Sequence, residues 1–347
     1  MQNYKQMLTK IMHSGYDVEG ARKNMPPTKL LTGMQLDFKL ERLPIVTSKK
    51  LNIKALYGEI CNFIAGVTDI RDYNRLGCYF WNQNFYKYHE AYFKTNGYSF
   101  EAIDTKLRSG NLTMPNEGQY SLGYIYPKMW RAFVDRHGFQ IDQLRDLIYN
   151  IKSNPNSRYH YILATEPQQF KKADVSQPNC HIYFQITIVP LKEKQIIRAI
   201  KLKNRVEEVY ANIVYEGYNY MYQNKIPKHG VILNVVQRSA DSFLGVPFNI
   251  AQYAILTETI SRFLDMLPLH LGWTGMNTHI YGNHMESVDK YIKNPIHIQP
   301  FLFVKNGIDL DYFNIFQDGT GEIKDIPYQI AGYKSEGHIP ADLSVGL

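Results

Sequence analysis

Long apolar runs are missing from this 347-residue chain. No stretch approaches the roughly 20 consecutive apolar residues that a bilayer-spanning helix needs. Cysteine is scarce. Cys61, Cys78 and Cys180 are an odd number without metal-type spacing, which argues against a disulfide framework and for a reducing compartment. No basic-then-apolar leader opens the chain, so a cytoplasmic protein is expected. Charged residues make up only 20% against 44% apolar. That balance excludes a disordered chain and leaves enough apolar material for one large core or two modest ones.

What is present points to anionic ligands. The net charge is +7, which favours phosphates or nucleic acid without choosing between them. The densest stretch is 237–253, QRSADSFLGVPFNIAQY. The strand-like VILNVV at 231–236 runs into Arg238, Ser239 and Asp241. A Gly-Val-Pro turn follows, and Asn249 opens an apolar helical stretch at 250–256. An Arg, a Ser and an Asp delivered together beside an Asn at a helix start suit an anion and a heterocycle. From local pattern alone, a plain strand-turn-helix with a capping Asn is the commoner arrangement.

Elsewhere the apolar spacing predicts helices at 4–15, 52–65 and 141–152, and strands at 29–40, 159–164, 182–189 and 267–273. Glu59 falls among Leu56, Ile60, Phe63 and Ile64. It is either an edge residue, the default for a carboxylate, or a buried acid with a raised pKa. Residues 79–81, Tyr-Phe-Trp, could stack on a planar ligand or simply fill the core. Cys180 enters its strand after a Pro turn. An Arg nearby would lower its pKa, and Arg238 is the candidate if the two strands are neighbours. His279 and Tyr281 share a strand face by two-residue alternation. Three His near that strand (His270, His279, His284) raise the question of a metal, but no zinc-ligand spacing supports one. The segment 191–229 is first basic and helical, then Tyr-rich, and carries no chemical motif.

Taken together, these segments resemble the thymidylate synthase and pyrimidine hydroxymethylase superfamily. QRSADSFLGVPFNIAQYA resembles its signature and THIYGNHM its downstream strand. QPNCHIYFQ resembles its nucleophile segment, LGYIYPKMWR its Gly-Tyr-Lys-Trp-Arg stretch, NPNSR its phosphate-binding Arg turn, and LPIVTSKKLNIKALYGEI its Glu-bearing helix. The resemblance implies one α/β (α+β) domain over 1–347, with a large mixed sheet backed by helices and an insertion at about 191–229. It also implies a sheet-to-sheet homodimer.

The implied roles follow residue by residue. Cys180 would attack carbon 6 of the pyrimidine, with Arg238 activating it and binding phosphate. Ser239, Arg22 and Arg158 would add phosphate contacts, Arg158 from the partner subunit; Lys23 competes with Arg22. Asn249 would read a uracil ring, and His181 and Gln185 would join the substrate site. His279 and Tyr281 would hold the sugar hydroxyl. Glu59, Tyr126 and water would handle protons. Trp81, Asp241, Leu244, Gly245 and Phe248 would contact 5,10-methylenetetrahydrofolate, and no metal is expected.

Departures from the family pattern bear on the product. A second Trp expected three residues after Trp81 is Asn84, Arg-Arg at the turn is Arg158-Tyr159, and the next strand runs into ATEPQQF at 164–170. The tail also extends past Val345. These features resemble phage-type hydroxymethylases. A methylene intermediate in a dry site would take hydride and give thymidylate, whereas a positioned water would give the hydroxymethyl product. The expectation is therefore a viral deoxyuridylate (dUMP) hydroxymethylase acting in the host cytoplasm. The alternative is a divergent thymidylate synthase. A third reading is an idle relative binding nucleic acid through residues 192–205; the co-occurrence of Cys180, Arg238, Asn249, Glu59 and Tyr281 argues against it. No membrane partner is expected.

Overall fold

The computed structural model describes residues 1–20, 25–167, 176–220 and 227–342. Arg22, Lys23, the QQF of ATEPQQF and the tail from Leu343 on lie outside the described residues. In chain order the strands are β1 (Tyr16–Val18), β2 (Thr28–Lys39), β3 (Phe133–Val134), β4 (Gln140–Ile141), β5 (Tyr161–Leu163) and β6 (His181–Pro190). They continue with β7 (Tyr218–Asn219), β8 (His229–Gln237), β9 (Ala240–Asp241), β10 (Leu267–Tyr281), β11 (Phe301–Lys305) and β12 (Tyr328–Ala331).

Seven strands form one mixed sheet in the order β1-β2-β10-β8-β6-β5, with β9 pairing to β10. Only β10 with β8 and β10 with β9 run parallel. Alternation gives the sheet two different faces. Leu36, Phe38, Phe184, Ile186, Leu233, Val235, Leu271 and Trp273 are buried on one face. On the other, Tyr161, Leu163 and Met276 are 41%, 44% and 50% exposed. The mixed sheet backed by helices matches the expected fold class.

Local propensity explains the helices that cover the buried face. In Ile53–Ala65 the Asn52 side chain accepts from the Ala55 amide at 3.2 Å, capping the first turn. The helix ends at Gly66, whose φ of +83° is left-handed. Gly245–Phe263 has buried residues all round, because it lies between the sheet and Ile53–Ala65. This helix starts earlier than the sequence suggests. Asn249 therefore sits inside its second turn, not at a cap. Similarly, the strand expected at 267–273 runs on to Tyr281, making the 15-residue β10.

The segment after β6 forms the helix Glu193–Tyr210 and β7. Ala199, Val206 and Tyr220 pack with Phe301, Phe303 and Ala331 in a second, smaller cluster. This segment thus leans on the β12-β11-β7 sheet as well as following β6. Part of its basic charge is paired: Arg198 with Glu41 at 2.9 Å and Lys203 with Glu207 at 3.2 Å.

Gly66 fixes how the Glu59 helix meets the helix Tyr126–Arg131. A Cβ there would come within 2.9 Å of Arg131 Cβ, in a backbone region that L side chains rarely adopt. Gly66→Ala should destabilise the protein by about 1–3 kcal/mol, read as a lowered urea midpoint without a change in slope.

Candidate active site

The site assembles where β6 and β8 meet. They pair antiparallel with His181 opposite Gln237. The next residue on each strand end completes the ladder, since Arg238 N–H donates to the Cys180 carbonyl at 2.8 Å. Cys180 and Arg238 are therefore neighbours by register. The guanidinium reaches further, donating to Asn179 O at 2.9 Å and Pro178 O at 3.0 Å, with Nη2 at 3.9 Å from Cys180 Sγ. Arg238 orders the nucleophile's loop as well as facing its sulfur. Tyr126, from the opposite side, accepts from Cys180 N at 2.7 Å and His181 N at 3.3 Å.

Proximity to Arg238 does not by itself give a low thiol pKa. Burial pushes Cys180 upward; Arg238 pulls it back, Asp241 adds to the rise, and Tyr126 and Gln177 lower it. The net direction is up. Arg238 lowers the thiol as the sequence suggests, but desolvation of the thiolate is the larger influence.

Glu59 is only 7% exposed, so it is a buried acid and not an edge residue. Its Oε1 accepts from the Trp81 indole at 2.6 Å and its Oε2 accepts from Gln252 Nε2. Burial pushes the carboxyl up to about 7, with the Trp81 and Gln252 hydrogen bonds pulling back. Gln252 also faces Asn249, whose Nδ2 donates to Gln252 Oε1 at 3.4 Å, and Asn249 Oδ1 accepts from Gln237 Nε2 at 3.0 Å. The Trp273 indole donates to Gln237 Oε1. His181 stacks on Tyr126 with centroids 4.5 Å apart. Burial drives its pKa down to about 3, with a hydrogen bond to Asn249 opposing, so the ring is neutral.

A second group lies at β9 and the end of β10. Asp241 pairs with His279 in register and caps the following turn, accepting from Phe243 N at 3.0 Å and Leu244 N at 3.2 Å. His279 and Tyr281 have ring centroids 5.0 Å apart, so alternation does place them together. Lys49 enters beside them, donating to Phe243 O at 2.6 Å. Its buried ammonium is lowered to about 8 by desolvation, with Asp241 opposing. Ser239, half-buried, joins β8 to β9.

At the mouth, Phe80 packs edge-on against Phe248 at 4.6 Å, near Trp81 and the helix start at Leu244 and Gly245. Gly245 is not demanded by space, since a Cβ there would make ordinary contacts at 3.6 and 3.7 Å. Asn84 is buried and donates to Gln177 Oε1 at 2.5 Å.

Gln185 does not join this cluster. It follows the core residue Phe184, so alternation turns it to the open sheet face, where its Nε2 donates to Arg158 O at 3.0 Å. Arg158 is exposed. Gln185 is thus separated within the chain from the Cys180 cluster, and Arg158 lies with it through that backbone contact. Sequence reasoning missed Gln252, Gln237, Gln177 and Lys49. Gln252 carried a signal, being three residues after Asn249 on one helix face.

The cluster brings together a thiol, a cation beside it, a buried acid and an amide held in a hydrogen-bond chain. The sequence model described as Thymidylate synthase matches residues 2–345, and the chain belongs to the thymidylate synthase family. It is 31% identical over 295 residues to "Thymidylate synthase" of Phytoplasma mali, covering 84% of this chain and 85% of that one. It is 28% identical over 347 residues to the Mycoplasma mobile protein of that name, covering 99% and 100%. With the Francisella tularensis subsp. holarctica protein, also named thymidylate synthase, it shares 27% over 316 residues, covering 90% and 88%.

Two outcomes follow. Cys61 and Cys78 are fully buried, so native protein should take one iodoacetamide label per chain. Cys180→Ala should take none, and Arg238→Ala should label with its midpoint moved to higher pH, since the cation that lowers the thiol is gone. Glu59 ionises near 4.5 when unfolded and about 7 when folded. Its contribution to stability is greatest at low pH and falls as pH rises through that window, by up to about 3 kcal/mol. Thermal melts of Glu59→Gln should lack that decline.

Proposed function

We propose that the protein transfers a one-carbon unit to carbon 5 of dUMP, forming dTMP. The observation that carries this reading is the convergence of Cys180, Arg238, Tyr126, Glu59 and Asn249 in a chain whose relatives are named thymidylate synthase. 5,10-Methylenetetrahydrofolate supplies the one-carbon unit and, for a methyl product, the hydride.

Cys180 adds to carbon 6 of the pyrimidine. The new S–C bond moves the ring's double-bond electrons toward the 4-carbonyl and makes carbon 5 nucleophilic. Arg238 holds the thiolate, and Tyr126 fixes the Cys180 backbone. Glu59, poised near neutrality, donates and accepts protons near the 4-carbonyl. The donor-only Trp273 indole sets the sense of Gln237 and then of Asn249. Asn249 keeps an oxygen lone pair and an N–H hydrogen beyond that chain, matching the ring N–H and carbonyl of uracil. His279 and Tyr281 hold the sugar hydroxyl. Arg238, Ser239 and Arg22 take the phosphate, joined by Arg158 of the second subunit in a homodimer through the open sheet face. Exposed Tyr161, Leu163 and Met276 on that face support the dimer. Trp81, Asp241, Leu244, Gly245 and Phe248 line the folate position.

Hydroxymethylation is the second reading, and the Asn84–Gln177 pair favours it. Two amides beside the nucleophile can hold water where an indole would exclude it. A product assay separates the readings. With dUMP and methylenetetrahydrofolate, a product heavier by one CH₂ unit and dihydrofolate formed in step are expected. A CH₂O gain without dihydrofolate would replace this reading with the hydroxymethylase. No product from dUMP or dCMP would overturn both.

A further inference from the structure

Gln252 has no chemical role in the reaction above, yet it stands between two groups that do. It is 2% exposed. Its Nε2 donates to Glu59 Oε2, and its Oε1 accepts from Asn249 Nδ2 over a long 3.4 Å. Behind Asn249 the chain continues through Gln237 to the Trp273 indole. An indole N–H can only donate. Each amide must therefore present its oxygen toward Trp273 and its nitrogen toward Glu59. Reversing any one of them sets oxygen against oxygen or N–H against N–H in a buried place. The chain ends by delivering a donor to one oxygen of Glu59, while Trp81 delivers another to the second at 2.6 Å.

We propose that Gln252 is a positioning residue of this site: it holds the Glu59 carboxylate in its ionised, oriented form and ties that state to the amide sense of Asn249. What Glu59 and Asn249 do for a pyrimidine rests on the function proposed above; the hydrogen-bond chain does not. A carboxylate with both oxygens receiving N–H donors is favoured over its protonated form, which must spend one of those oxygens on its own hydrogen. This opposes the burial that pushes Glu59 the other way. The surrounding titratable groups do not compete near neutrality. Tyr73 and Cys78 face Glu59 from the neighbouring helix and loop, and Tyr126 lies across Trp81; burial holds all three well above their ordinary values. His181, behind Asn249, is held near 3.

The Trp81 indole gives a readout that needs no turnover, since it is bonded to the titrating group. Its fluorescence should follow Glu59 with a midpoint near neutrality, and that step should vanish in Glu59→Gln. Gln252→Met keeps the side chain's length and removes the donor. The midpoint should rise by about one pH unit, a tenfold gain in proton affinity, and the pH profile of kcat for dUMP should move with it. Gln252→Glu keeps the shape and places a second carboxyl against the first, so its midpoint should also rise. A folded Gln252→Met whose Trp81 step stays at the wild-type midpoint overturns the proposal. If that variant does not fold, an unmoved midpoint in Gln252→Glu does the same. Wild-type protein that turns over no pyrimidine nucleotide refutes the proposed reaction, while the fluorescence titration still decides the role of Gln252.

Discussion

The antiparallel register of β6 with β8 is the constraint on which the rest depends. One backbone bond, Arg238 N–H to Cys180 O, places the cation and the thiol side by side. Two strand ends in an extended ladder are among the most rigid places a protein can offer, so both groups are held by the sheet and not by a loop alone. The other groups are brought to that point by helices packed on the sheet. Gly245–Phe263 carries Asn249 and Gln252 across its buried face, and Ile53–Ala65 lays Glu59 against them. A one-residue slip in the β6–β8 pairing would turn alternate side chains to the opposite face and dissolve the site.

The electrostatics of the site are governed by burial. Cys180 and Glu59 are both shifted toward their neutral forms, in each case with desolvation as the largest influence. Each is then drawn back by specific donors, Arg238 first for the thiol and the Trp81 indole first for the acid. Glu59 is thereby poised near neutrality, which suits a group that must take up and release a proton. Lys49 follows the same logic with opposite sign, its ammonium lowered by burial and supported by Asp241.

Much of this was legible in the sequence, and the failures have physical causes. Periodicity located the Gln143–Ser153 helix through its single apolar stripe and Asp142 cap, while Ile53–Ala65, buried on nearly all sides, was marked by its length, its Asn52 cap and the Gly66 stop. It misplaced the start of Gly245–Phe263, because a helix buried all round has no polar face to mark its ends. The neighbourhood of Cys180 and Arg238 was a conditional inference that strand pairing fulfilled. Glu59 looked like an edge residue because one-dimensional pattern cannot reveal that the Trp81 indole and the Gln252 amide, the latter 193 residues away in sequence, would meet around it. Gln185 matched its motif yet faces the other side of the sheet, since a motif does not carry the bulge between His181 and Tyr183 that resets the alternation.

The central strand β10 has a consequence for the history of the chain. Its residues 267–281 pair with β2 near the beginning of the sequence, Tyr281 opposite Thr28, and with β8 on the other side. As the polypeptide leaves the ribosome, β2 must wait some 240 residues for its inner neighbour. During synthesis the early strand is an open edge with unpaired amides, and the sheet closes only when a late segment inserts between two older ones. Such non-local closure is slow. For this interval the growing chain is a natural client for factors that shield strand edges.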